Sequence, residues 1–124
     1  MEIERLHKML TDAGIEHEWL DRTPPGEMPR RWFGEEIVWG WQIIVYKEDG
    51  ERLVSAIEGY GSYGYGSGFD LGESNDLIEI MGLLTPEEEE HDSVAGWLTA
   101  EEVFRRIMEA LAELKEKYIP PQEA

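Results

Sequence analysis

The sequence predicts an α+β fold: an antiparallel sheet built around a central hairpin, with an N-terminal helix and a C-terminal helix packed on it. Three observations carry the prediction. Two β-rich runs flank Asp49-Gly50 in WGWQIIVYKEDGERLVSAIEG, a pair suited to a tight turn whose central positions need positive φ. Apolar residues recur at helical spacing near the start of the chain and again near its end. The 124 residues suffice for one hydrophobic core and not for two ordinary domains, so residues 1–124 are read as a single domain.

The first helix spans about residues 2–13. Ile3, Leu6, Leu10 and Ala13 form its stripe, Met9 widens it, and Gly14 stands where a left-handed cap closes a helix. A short strand within Ile15 to Leu20 follows. DRTPPGEMPRRWFGEE comes next, and its prolines forbid regular structure. It reads as a long loop carrying Arg22, Arg30 and Arg31.

In the hairpin, a turn at Asp49-Gly50 sets Val45 opposite Val54, Ile43 opposite Ala56 and Trp41 opposite Glu58. Ile44, Tyr46, Leu53 and Ile57 make the second face apolar as well, which places the hairpin at the centre of its sheet or under cover on both sides. DLIEIMGLL, residues 76–84, is a third strand, with helix as the competing reading. Thr85-Pro86-Glu87-Glu88 opens a helix of one or two turns. Thr99-Ala100-Glu101-Glu102 opens the last helix, striped by Val103, Phe104, Ile107, Leu111, Leu114 and Tyr118 and stopped by Pro120-Pro121.

Composition excludes several functions. With 28 acids against 11 bases the formal net charge is −17. Such a surface repels nucleic-acid backbones and anionic membranes and attracts basic proteins. Direct nucleic-acid binding and membrane binding are not expected; plain solubility is the competing meaning of the charge. The absence of cysteine removes disulfides, thiolate catalysis and cysteine zinc sites. MEIERLHKML lacks the pattern of a secretion signal and no run of 18 apolar residues occurs, so a cytoplasmic protein is expected.

No catalytic constellation stands out. His7, His17 and His91 are scattered, and no G-x-S-x-G or H-E-x-x-H is present. EEEEHD, residues 87–92, holds metal-type ligands, but contiguous residues on a helical turn diverge. A non-enzymatic protein without cofactor or metal is expected. GYGSYGYGSGFD, residues 59–70, lacks the lysine of a P-loop and the spacing of a dinucleotide fingerprint. Its glycines permit close backbone approach and its aromatic rings permit stacking on a base; a connecting loop is the plainer reading. The doublets Arg30-Arg31 and Arg105-Arg106 are suited to phosphate if they converge, and to salt bridges with the surrounding glutamates if they do not.

LIEIMGLLTPEEEEHDSVAGWLTAEEVFRRI, preceded by SAIEGYGSYG, resembles a group of small proteins encoded in phages and prophages of gut Firmicutes. The resemblance runs from about Trp41 to Ile107 and extends to AGIEHEW near the start. In size and order of parts the chain is similar to the Thoeris anti-defence proteins, phage sponges that bind cyclic ADP-ribose signals, and in some cases cyclic oligonucleotides, between subunits of an oligomer. It does not extend to matched binding residues. What it implies is a phage protein acting in the host cytoplasm against an immune system.

Two functions of different class follow. In the first, a homo-oligomer sequesters a small anionic nucleotide, with Arg30, Arg31, Arg105 and Arg106 on phosphates and Tyr60, Tyr63, Tyr65 or Phe69 stacking on a base. In the second, an acidic surface supplied by Glu87 to Glu90, Asp92, Glu101 and Glu102 imitates nucleic acid and blocks a basic host defence protein such as a CRISPR nuclease. A structural or morphogenesis role of a phage protein is a third, for which exposed tryptophans such as Trp32 and Trp97 would serve.

Overall fold

A computed structural model describes residues 2–23, 31–32, 35–36, 39–59 and 77–117. Its order is α1 (Glu2–Asp12), β1 (Glu18–Asp21), β2 (Arg31–Trp32), β3 (Glu35–Glu36), β4 (Trp41–Tyr46), β5 (Arg52–Glu58), β6 (Ile78–Met81), α2 (Pro86–His91), β7 (Ala95–Leu98) and α3 (Ala100–Lys117). Five strands form one antiparallel sheet in the order β1-β4-β5-β6-β7, with α1 and α3 packed on it and on each other. The expected α+β fold is present, and the hairpin β4–β5 is central.

Each helix end has a local cause. Gly14 takes φ 73°, and the amides of Gly14 and Ile15 donate to the carbonyls of Thr11 and Leu10 at 3.1 and 2.9 Å. The left-handed glycine thus satisfies carbonyls that the end of α1 leaves open. Thr85 caps α2 reciprocally with Glu88. The Thr99 hydroxyl accepts from Glu102 N–H at 3.2 Å.

The register along the hairpin is the expected one: Trp41 faces Glu58, Ile43 faces Ala56 and Val45 faces Val54. The turn differs by one residue. Lys47 N–H donates to Glu51 at 2.7 Å and Gly50 N–H to Lys47 at 3.0 Å, so the loop holds Glu48, Asp49 and Gly50, with Gly50 at φ 90°. Tyr46 then pairs with Arg52, and a register shift before Val45↔Val54 absorbs Leu53. A three-residue loop ending in a left-handed glycine preserves the strand twist as a two-residue turn does, and the bulge restores the register.

Two elements depart from expectation. Arg31–Trp32 pairs with Glu35–Glu36 inside the segment read as loop; two-residue strands there avoid all three prolines. β7 has no alternating pattern and pairs irregularly with β6, Ile78↔Leu98 and Ile80↔Ala95, because Trp97 sits at φ 57°.

The core lies between sheet and helices. Ile3, Leu6 and Leu10 of α1 and Val103 and Ile107 of α3 bury against Ile43, Val45, Val54, Ala56, Ile78 and Ile80. Ile44 points to the other face of β4 and is still only 2% exposed, so the central strand is shielded on both sides. Leu114, assigned above to the apolar stripe of α3, is 39% exposed. Among the described residues no helix is long and apolar enough to cross a membrane.

One end of the sheet is defined by a glycine pair. Beyond Trp41↔Glu58, Gly40 and Gly59 face each other at φ 79° and 138°. A Cβ on Gly40 would stand 1.7 Å from the Glu58 carbonyl oxygen, and one on Gly59 2.1 Å from that of Trp39. Gly50 also has positive φ, but nothing lies within 4 Å of where its Cβ would be. Gly50→Ala should therefore cost only the left-handed penalty of about 1 kcal/mol, whereas Gly40→Ala should cost more than about 3 kcal/mol because two backbones must separate. Urea unfolding of the two variants measures the difference, and equal losses would contradict the close approach.

Candidate functional site

The sequence left two destinies for the basic doublets, and the structure assigns one to each described member. Arg106 is 11% exposed at its side chain. It donates through Nη1 and Nη2 to both oxygens of Glu88, at 2.7 and 3.2 Å, through Nη1 to the Leu83 carbonyl at 3.1 Å, and through Nε to Glu102 at 3.0 Å. The planar guanidinium fork makes this bidentate grip possible. It joins α2, α3 and the turn after β6, where Leu83 holds φ 57°. Arg105 is exposed and bonds Glu102 and Glu109 at 2.6 and 2.7 Å. Both arginines are thus held by glutamates of the same chain, the salt-bridge reading of the sequence.

These bonds act on the acids in turn. The Arg106 guanidinium holds Glu88 below the ordinary carboxylate value of 4.5, against a smaller opposing effect of burial. Arg105, then Arg106, does the same for Glu102.

Arg31 lies in β2, and its side chain falls outside the described residues, as do Arg30, Tyr60, Tyr63, Tyr65 and Phe69. The described neighbours of those segments nonetheless share a location. Asp21 pairs with Trp41, Trp41 with Glu58, and Ile57 with Glu79, so Thr23, Trp39, Gly59 and Leu77 stand at the glycine end of the sheet. Arg22 is there too: its amide donates to the Gly40 carbonyl at 3.1 Å and its Nη1 to the Trp39 carbonyl at 2.8 Å. Burial lowers the pKa of Arg22, and the charge of Glu79 partly offsets this. Arg106, bonded to Leu83 beyond β6, marks the opposite end.

Three acids serve contacts of the fold itself. Glu58 is fully buried, and its Oε1 accepts the Ile3 amide at 2.9 Å. Glu2 Oε2 accepts the Ala100 amide at 2.6 Å. Glu101 pairs with Arg5, which also holds Glu2. Helix N-termini offer unpaired amides and a positive dipole end, so carboxylates are their natural partners.

Other acids face outward. Glu87, Glu89, Glu90 and Asp92 of α2 and its C-cap are exposed and make no ion pair among the described residues. Glu16, Glu18 and Glu48 line a groove of about 590 Å³ together with His17, Tyr46 and Lys47; Tyr46 donates its hydroxyl to Glu18 at 3.0 Å. Lys8 and Lys47 pair with Asp12 and Glu51. Among the described residues no group of three or more His, Cys, Asp or Glu could hold a metal ion.

The sequence reading missed one cluster. His7 Nδ1 and His17 Nε2 are 2.7 Å apart, and the rings of His7, Trp19 and Trp41 stack in a column with centroid separations of 4.3 and 4.6 Å. The signal was the reversal at Gly14, which folds residue 17 back beside the helix carrying residue 7. Trp97 is 60% exposed, and the side chain of Trp32 falls outside the described residues.

Comparison with protein-family models, curated proteins and solved structures returns no match to this chain.

The Arg106 clamp has a measurable worth. Arg106→Met leaves Glu88 and the Leu83 carbonyl short of a charged donor and should cost about 2 kcal/mol. Arg105→Met, at an exposed site, should cost far less. Because the folded pKa of Glu88 and Glu102 is depressed, their stabilisation is complete above the ordinary value and is lost as pH falls through the folded one. Acid unfolding curves should therefore lose part of their fall below about pH 4.5 in Arg106→Met; an unchanged curve would contradict the clamp.

Proposed function

We propose that the chain is a non-enzymatic binding protein whose outward carboxylates occupy a basic surface of another protein. One observation supports this above others: Arg5, Arg105, Arg106, Lys8 and Lys47 are bound to carboxylates of the same chain, with Arg52 and Lys115 outside any ion pair among the described residues, while Glu87, Glu89 and Glu90 of α2 carry their charge to solvent. Of the seven acids the sequence offered for such a surface, Glu88 and Glu102 are engaged by Arg106 and Glu101 by Arg5. Glu87, Glu89, Glu90 and Asp92 remain as the contact charges. An anionic patch of this kind speeds encounter with a basic partner and selects against acidic ones. Set beside the phage resemblance, the partner is a nucleic-acid-binding protein of host defence, met in the host cytoplasm.

The sequestration reading keeps one supporting observation. The segments carrying Arg30 and Arg31, and Tyr60, Tyr63, Tyr65 and Phe69, are both attached at the glycine end of the sheet, beside Arg22. Arg105 and Arg106 lie toward the other end, and adding them to a nucleotide pocket requires the rupture of their ion pairs.

A labelled octa-arginine peptide, standing in for a basic surface, separates the readings. Its affinity should fall at least tenfold between about 50 and 200 mM salt. The combined change Glu87→Gln, Glu89→Gln and Glu90→Gln should weaken it more than Glu16→Gln, Glu48→Gln and Glu113→Gln, which alters net charge equally. Equal effects of the two triples would refute α2 as the contact, and a stoichiometric adduct with cyclic ADP-ribose or a cyclic dinucleotide in native mass spectrometry would favour sequestration.

A further inference from the structure

The His7–His17 contact defines its own proton inventory. His17 Nδ1 lies 2.8 Å from the Ile15 carbonyl oxygen, which can only accept, so His17 carries its proton on Nδ1. Its Nε2 then presents a lone pair, and His7 Nδ1, 2.7 Å away, must donate. The remaining basic nitrogen is His7 Nε2. A bridging metal does not fit this spacing, since two nitrogens about 2.05 Å from a tetrahedral ion stand about 3.3 Å apart. The His7 ring lies against Trp19 at 17°, a face that favours a cation.

We propose that His7 and His17 form a one-proton latch between α1 and β1, closed while the pair holds no more than one added proton and opened by the second. The first proton goes to His7 Nε2. Nδ1–H still donates to His17, now as a charge-assisted bond, and the imidazolium rests on Trp19. The second proton has only His17 Nε2 to occupy, where it meets the Nδ1–H of His7. Two N–H groups then point at each other between two cations, and the bond is lost.

Glu16, Glu18, Tyr46, Lys47 and Glu48 share the groove with His17. On α1, Lys8 is paired with Asp12, and Thr11 donates to the His7 carbonyl. His7 lies below its ordinary value of 6.5, first through burial and then through the charge of His17. Unfolded, both rings take protons near 6.5; folded, the pair resists the second. The unfolded state therefore binds more protons in that window, and the latch contributes stability above about pH 6.5 that declines as pH falls. Relaxed repulsion among carboxylates acts with the opposite sign, so the latch is read from its own signals.

The test is an NMR titration of the imidazole C–H and indole N–H signals of the whole protein between about pH 8 and 4.5. The pair should take up its two protons in two steps more than about one pH unit apart, and the Trp19 indole signal should move with the lower step. His91, exposed on α2, supplies signals remote from the pair. A single common step for His7 and His17, or a Trp19 signal indifferent to the lower step, overturns the proposal. His17→Gln should abolish the lower step at Trp19, and its persistence in the folded variant would overturn the proposal as well; the wild-type titration decides alone if that variant does not fold.

Discussion

The buried bond from the Ile3 amide to Glu58 is the contact on which the arrangement of layers depends. A carboxylate in a dry interior is costly unless its oxygens are bonded, and an open helix N-terminus is costly unless its amides are. Each offsets part of the other's penalty. The bond ties the first turn of α1 to the end of β5 at the glycine pair, and Glu2 of that same turn carries the constraint onward to the first amide of α3. Two helices distant in sequence are thereby indexed on one end of one sheet.

The same scarcity of cations that shapes the surface shapes the interior. Two of the described ion pairs join structural seams: Arg5 between α1 and α3, Arg106 between α2 and α3. The acids divide accordingly. Glu2, Glu58, Glu88 and Glu102 are turned into helix ends and arginine forks, whereas the exposed acids of α2 have no such partner among the described residues. The exposed acids of α2 therefore leave their charge facing solvent.

The sequence disclosed those elements whose cause is local. Gly14, the capping Thr85 and Thr99, and the alternation about Asp49-Gly50 each act within a few residues, so α1, α2, α3 and the β4–β5 register were legible. β7 was not, because Gly96 and the left-handed Trp97 erase its period. Glu58 looked like an ordinary strand acid, since only the arrival of Ile3 from 55 residues away explains its burial. The fate of Arg106 likewise depended on α2 folding back against α3, and the histidine pair on a chain reversal that brings together two rings with no shared motif.

The account turns on Arg105 and Arg106 being committed within the chain, and their guanidinium Nε–H signals report this directly. Adding a cyclic dinucleotide at millimolar concentration should leave both signals in place, while an arginine-rich peptide shifts the backbone amides of α2. Saturable movement of the Arg105 and Arg106 signals with the dinucleotide, and silence of α2 toward the peptide, would contradict the account.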